Sequence, residues 1–190
     1  DIAKTIANNA PADVEELKTL TIDGGSQTVG DALTEKIATI GENMNIRRFE
    51  TYKGINQSYV HAGGRIGVLV NFEVSDASKA ETPEFVEMAK NVAMQIAAAA
   101  PEYLTEETVP TEGVEKEAEI LKQQALNEGK PEAIFDKMVA GRIKKYYKEV
   151  CLVDQAYVKD PDMSVQKYVD GVANTLGTEI KIAKFARFEK

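Results

Sequence analysis

His61 and Cys151 are the only histidine and the only cysteine in a chain of 190 residues. An imidazole beside a thiol is the pairing that turns cysteine into a nucleophile, so group-transfer chemistry is the first possibility to weigh. His61 also stands just before Gly63 and Gly64, with Gly67 close behind, in the stretch "SYVHAGGRIGVLV" (58–70). A glycine-rich loop cradles phosphate when a helix follows it, because helix N-terminal N–H groups and the helix dipole hold the anion. Here Ile66, Val68, Val70 and Phe72 alternate with Gly67, Leu69, Asn71 and Glu73, which is the pattern of a strand. The glycines therefore read as hairpin-turn residues that supply positive φ. His61 reads as a strand-end residue on the rim of a sheet, either a surface hydrogen-bonding group or a contact for something else. Cys151, in the apolar, strand-like run "KEVCLVD", reads as a small buried hydrophobe. No HExxH, CxxC or clustered His/Cys spacing is present, so no metal site is expected. Carboxylates number 31, enough to form chance pairs, and none stands in a context diagnostic of acid–base work. The expectation is a protein that is not an enzyme and carries no cofactor.

The elements that would position these residues follow from composition and periodicity. A formal net charge of −8 argues against direct nucleic-acid binding, which needs clustered Lys and Arg. The one basic cluster, "GRIKKYYK" (141–148), reads as a solvated helix end. No window approaches the roughly 18 apolar residues of a membrane span. A single cysteine rules out an internal disulfide framework and fits a reducing cytosol. The opening "DIAKTIANNAP" has no initial Met and reads as the later part of a helix already under way, as expected of a piece of a longer chain.

Helical spacing is expected over 1–10, ended by Pro11, and again from Val29 to Ile40 with Gly41 as its left-handed cap. "MNIRRFETYK" (44–53) alternates as a strand, and "GINQ" is a turn. Thr82 and Pro83 start a helix whose face is Phe85, Met88, Ala89, Val92, Ile96 and Ala99, ended by Pro101. Residues 112–147 read as two charged helices around "NEGKP", with a narrow apolar seam of Val114, Ala118, Leu121 and Ala125 against Ile134 or Phe135, Met138 or Val139, Ile143 and Tyr146. Each arm of about 16 residues would be about 24 Å long. Such a seam, flanked by so much charge, suits a projecting hairpin. "EVCLVDQAYV" then reads as extended, Asp160-Pro161-Asp162 as a loop, and Ser164 as the cap of a short helix. Ile180 to Phe188 alternate as a final strand, placed to pair with the strand begun at Ile66.

Four segments carry a resemblance to a known family: "KIATIGENMNIRRFE" (36–50), "SYVHAGGRIGVLV" (58–70), "GKPEAIFDKMVAGRIKKYYKEVCLVDQAYVKDP" (129–161) and "IAKFARFE" (182–189). In this order they resemble elongation factor Ts, the guanine-nucleotide exchange factor of translation. The resemblance implies a cytoplasmic, non-enzymatic protein that binds the GTPase elongation factor Tu and promotes GDP release. It also implies an α+β fold of two small antiparallel-sheet/helix subdomains with an inserted, projecting coiled-coil hairpin. On this chain that gives a partial N-terminal core subdomain at 1–54, a C-terminal core subdomain at 55–111 and 148–190, and the hairpin at 112–147. Matching residues imply partner contacts at Ile40 and Gly41 near the phosphate-binding side of the GTPase domain. His61, and then Val158 with Lys159 beside it, would meet the partner's third domain. Lys159 stands where a family member can have methionine.

The family's Thr-Asp-Phe-Val signature, whose Phe wedges into the GTPase, does not appear in this sequence, and reduced exchange activity is expected. Two other readings compete. One is a homodimerising or structural module using the alanine-rich helix 84–100 as a close-packing face. The other is an enzyme built on Cys151 and His61.

Overall fold

The computed structural model describes residues 1–129, 131 and 135–190. Helices and antiparallel sheet are mixed, which makes the chain α+β. It divides into two compact units, Asp1–Tyr52 and Lys53–Lys190.

The first unit is built from helices α1 (Ile2–Asn9), α2 (Val14–Thr19) and α3 (Val29–Ile40). Asp13 and Thr28 cap α2 and α3 by accepting from Glu16 N and Asp31 N, and Leu17 and Val29 are fully buried. Gly41 ends α3 in the left-handed region at φ 77°, as its position after the last apolar residue predicts. One expectation is corrected here. Residues 44–53 alternate but form no strand. An extended segment becomes a strand only by pairing its N–H and C=O groups with a neighbour, and among the described residues this unit offers only the isolated bridge Thr21–Thr28. Both sheets lie in the second unit.

The main sheet of that unit has the order β1-β2-β5, with β1 (Ile55–His61), β2 (Ile66–Val74) and β5 (Ile180–Glu189) all antiparallel. β1 begins immediately after Gly54, at φ 89°, so the turn expected over "GINQ" shrinks to one glycine. The β1–β2 hairpin closes through Ala62, Gly63 and Gly64 at φ 50°, 65° and 94°. Gly63 and Gly64 permit the positive φ at two of these positions, and Ala62 adopts it without that freedom. As expected, the last strand pairs with β2, bringing Val68 opposite Arg187 and Val70 opposite Phe185.

Helix α4 (Pro83–Ala99) starts on the Thr82 cap with Pro83 in its first turn. Phe85, Met88, Ala89, Val92, Ala93, Ile96 and Ala97 join Val68, Val70, Phe72, Ile180 and Ile182 of the sheet in one core, completed by Val165, Val169 and Ala173 of α7 (Val165–Leu176). Phe72 and Phe85 meet edge to face, 5.5 Å between centroids. The alanines of α4 let the helix lie close on its neighbours. Ala89, Ala93 and Ala97 are buried in this core.

α5 (Thr111–Asn127) and α6 (Phe135–Val150) pack side by side, and Arg142 Nη1 donates to Gln124 Oε1 at 3.2 Å. Leu121 and Ala125 are buried on one helix, Phe135 and Val139 on the other. Gly129, after α5, has φ 67°. The seam position assigned to Ile134, and Lys130 in the turn, lie outside the described residues.

The segment expected to be extended from Glu149 to Val158 is mostly not. α6 runs on to Val150, and Leu152–Asp154 form a 3-10 turn. The Cys151 carbonyl closes the turn by accepting from Asp154 N and Gln155 N, both at 3.1 Å, while the carbonyls of Tyr103 and Leu104 accept from Leu152 N at 2.9 Å and Val153 N at 3.2 Å. Only Ala156–Tyr157 is strand (β3). It pairs with β4 (Asp160–Ser164), which occupies the stretch where a loop was expected.

Candidate protein-partner surface

Val158 and Lys159 are the two residues of the turn joining β3 to β4, with Tyr157 paired to Asp160 across it. Both are exposed, Val158 at 46%. Beneath them lie two buried polar side chains of α4. Gln95 Oε1 accepts from Val158 N at 2.8 Å, and its Nε2 donates to Gln155 Oε1 at 3.2 Å and to the carbonyl of Ala156 at 3.1 Å. Asn91 Oδ1 accepts from Lys159 Nζ at 2.7 Å, while Asn91 Nδ2 donates to the Tyr168 hydroxyl at 2.8 Å. Tyr157 and Tyr168 stack at 4.2 Å, and burial followed by the Tyr168 hydrogen bond pushes the Tyr157 phenol well above its ordinary range.

His61 stands on a different element, at the exposed end of β1. Its Nδ1 is bonded at 2.9 Å to the hydroxyl of Tyr59, whose ring packs against the main core. When the phenol donates, Nε2 carries the ring proton and is left for an outside acceptor. Beside it Val60 is 69% exposed. In the first unit, Ile40 is 55% exposed at the end of α3, next to the left-handed Gly41. The structure thus brings Val158 and Lys159 together on one turn and sets His61 on a separate strand end.

Cys151 is fully buried against Val109 and Val150, with Tyr103, Val114, Tyr146 and Tyr147 around it. Burial, and after it Asp154, Glu106 and Glu107, push its thiol up to about 11, so it is protonated at neutral pH. It packs as the hydrophobe its sequence context predicts, while the His61 ring is bonded to Tyr59. Among the described residues no group of three or more His, Cys, Asp or Glu is placed to hold a metal ion, and no helix is long and apolar enough to cross a membrane.

Sequence reasoning missed Asn91, Gln95, Gln155 and Tyr168. A signal was there: Asn91 and Gln95 interrupt the alanine-rich, apolar second half of the helix at a spacing of four, which puts both on one stripe. Periodicity alone does not say whether such a stripe faces water or the core.

The architecture is that of an α+β chain whose singled-out residues are displayed on turns and element ends rather than enclosed in a cleft. The chain belongs to the elongation factor Ts family, whose model, described as "Elongation factor TS", matches residues 1–190. It is 53% identical over 192 aligned residues to the elongation factor Ts of Clostridium perfringens strain SM101, covering 100% of this chain and 62% of that protein. It is 47% identical over 189 residues to that of Magnetococcus marinus, covering 98% of this chain and 61% of the relative. With that of Syntrophotalea carbinolica the identity is 44% over 191 residues, covering 99% and 62%. The chain thus spans less than two thirds of the length of these curated relatives.

Proposed function

We propose that this chain binds the GTPase elongation factor Tu in the cytoplasm and promotes release of its GDP during translation elongation, making and breaking no bond with its own side chains. The observation that carries the reading is membership of the elongation factor Ts family along the whole of residues 1–190. The display of Ile40, Val158 and His61 at element ends supports it, since a contact residue must be exposed before the partner arrives. Under this reading Ile40 and Gly41 meet the GTPase domain, and His61, Val158 and Lys159 anchor the chain to the third domain. Residues 1–54 are then part of an N-terminal core subdomain, 55–111 with 148–190 a C-terminal one, and 112–147 an inserted coiled-coil hairpin.

Linkage explains how such a surface acts without catalytic groups. A protein that binds the nucleotide-free GTPase better than the GDP form must weaken GDP by the same factor. Each 1.4 kcal/mol of difference is about tenfold in nucleotide affinity. The family's Thr-Asp-Phe-Val wedge is not among these 190 residues, so this polypeptide is proposed to bind firmly and exchange more slowly than a factor that carries the wedge.

The test is the release of mant-GDP from elongation factor Tu with and without the chain, beside its binding by calorimetry. Micromolar or tighter binding with release faster than the intrinsic rate, yet slower than with a wedge-bearing factor, is expected. Absence of binding would overturn the proposal, and release as fast as with the wedge-bearing factor would remove the assigned role of the wedge.

A further inference from the structure

The Val158–Lys159 turn joins two antiparallel strands through two residues, and such hairpins are normally closed by turns with positive φ, supplied by Gly, Asn or Asp. Here the turn residues are a β-branched valine and a lysine, and neither has a positive φ. The strands it closes are also weak: β3 is two residues long, its register with β4 shifts between Ala156 and Tyr157, and β4 contains Pro161. Local propensity therefore does not hold this turn in place. What does is the side of α4 beneath it. Gln95, fully buried, accepts from the Val158 amide and donates to the Ala156 carbonyl, gripping the chain just before and within the turn. Gln155 is also buried, and its Nε2 donates to the carbonyls of Ala99 at 3.3 Å and Glu149 at 2.8 Å, tying the same segment to the ends of α4 and α6. Asn91 holds the other turn residue through Lys159 Nζ.

From this arrangement we infer that Gln95, assisted by Asn91, is a positioning residue for the partner-binding turn: the core of the second unit sets the conformation that elongation factor Tu meets. The inference rests on the proposed function for the identity of the partner, but the geometry it asserts can be read without one. A partner docking on a preset turn loses less conformational entropy than one that must order it. Removing the Gln95 clamp should therefore weaken binding even though Gln95 itself is out of reach of any partner.

Two measurements test this. In the unliganded wild-type chain, amide hydrogen exchange of Val158, corrected for its intrinsic rate, should be slowed at least tenfold relative to the neighbouring exposed amide of Lys159. Exchange at the rate of Lys159 would overturn the inference whatever happens with elongation factor Tu, and needs no variant to fold. In the second measurement, Gln95→Met keeps the side-chain length and removes all three hydrogen bonds, to the Val158 amide, the Ala156 carbonyl and Gln155. The dissociation constant for elongation factor Tu·GDP should rise about tenfold, while in a Val158→Ala, Lys159→Ala background the same substitution should change it less than twofold. An equal rise in both backgrounds would mean that Gln95 acts through general stability, and no rise in either would also sink the claim. If the wild-type chain fails to bind elongation factor Tu while the Val158 amide is protected, the proposed function has failed and the positioning role stands.

Discussion

At the scale of single residues, the two groups that looked most reactive have opposite environments. His61 is exposed and tethered by Tyr59, whereas Cys151 is sealed in the core. The His61 ring offers one hydrogen bond to a partner, so His61→Ala should weaken elongation factor Tu binding by roughly 1 kcal/mol, the cost of a contact outside a hot spot. A dissociation constant unchanged by the substitution, measured by calorimetry, would leave His61 a plain surface residue. Cys151 yields a pH prediction. Its thiol titrates at about 11 when folded, against an ordinary 9.0, so above pH 9 the unfolded state binds fewer protons than the folded one. Its stabilising contribution is complete below about pH 9 and is lost as pH rises towards about 11. Urea midpoints of the wild type should therefore fall more steeply across that window than those of Cys151→Ala. Parallel curves would contradict the assignment.

At the scale of elements, α7 shows how local signals define an end-to-end helix. Ser164 Oγ accepts from Lys167 N at 3.3 Å, and Gly177 closes the other end in the left-handed region at φ 64°, with its N–H bonded back to the helix. Ser164→Ala should cost about 1 kcal/mol through loss of the cap. Gly177→Ala should cost about 1–2 kcal/mol, because a Cβ at that φ meets its own carbonyl although nothing else crowds the site. The two ends share no partner, so the costs should add in the double variant, as judged by urea unfolding. α4 carries a different lesson. Its apolar face was visible in the sequence, but the same turns also bury Asn91 and Gln95, and burial is tolerable only because each amide is matched by hydrogen-bonding partners.

At the scale of the molecule, the two units differ in what holds them. Among the described residues, the main core draws its members from residues 55–185, on β1, β2, β5, α4, α7 and the loops between them. The first unit buries few large side chains, chiefly Leu17 and Val29. A polypeptide of residues 53–190 should therefore fold alone, with a cooperative urea transition and a mixed helix–sheet circular dichroism spectrum, and residues 1–52 alone should be marginal, as expected of so small a core. A non-cooperative melt of 53–190 would show that the division misplaces the cooperative unit.

By itself, the sequence determined the helix caps at Thr82, Ser164 and Gly41, the hairpin turn at Ala62–Gly64 and the burial of Cys151. These rest on local rules of dihedral preference and periodicity, which act within a few residues. Tertiary structure decided the rest. Residues 44–53 alternate like a strand yet have no ladder, because a strand exists only when another backbone is alongside. Asp160-Pro161-Asp162 reads as a loop yet lies in a strand paired with β3, because the chain turns back at Val158 and Lys159 and lays that backbone alongside. The residues behind the candidate surface stayed hidden for the same reason. A glutamine has the same letters whether it faces water or grips a turn, and only the packing of α4 against that turn tells the two apart.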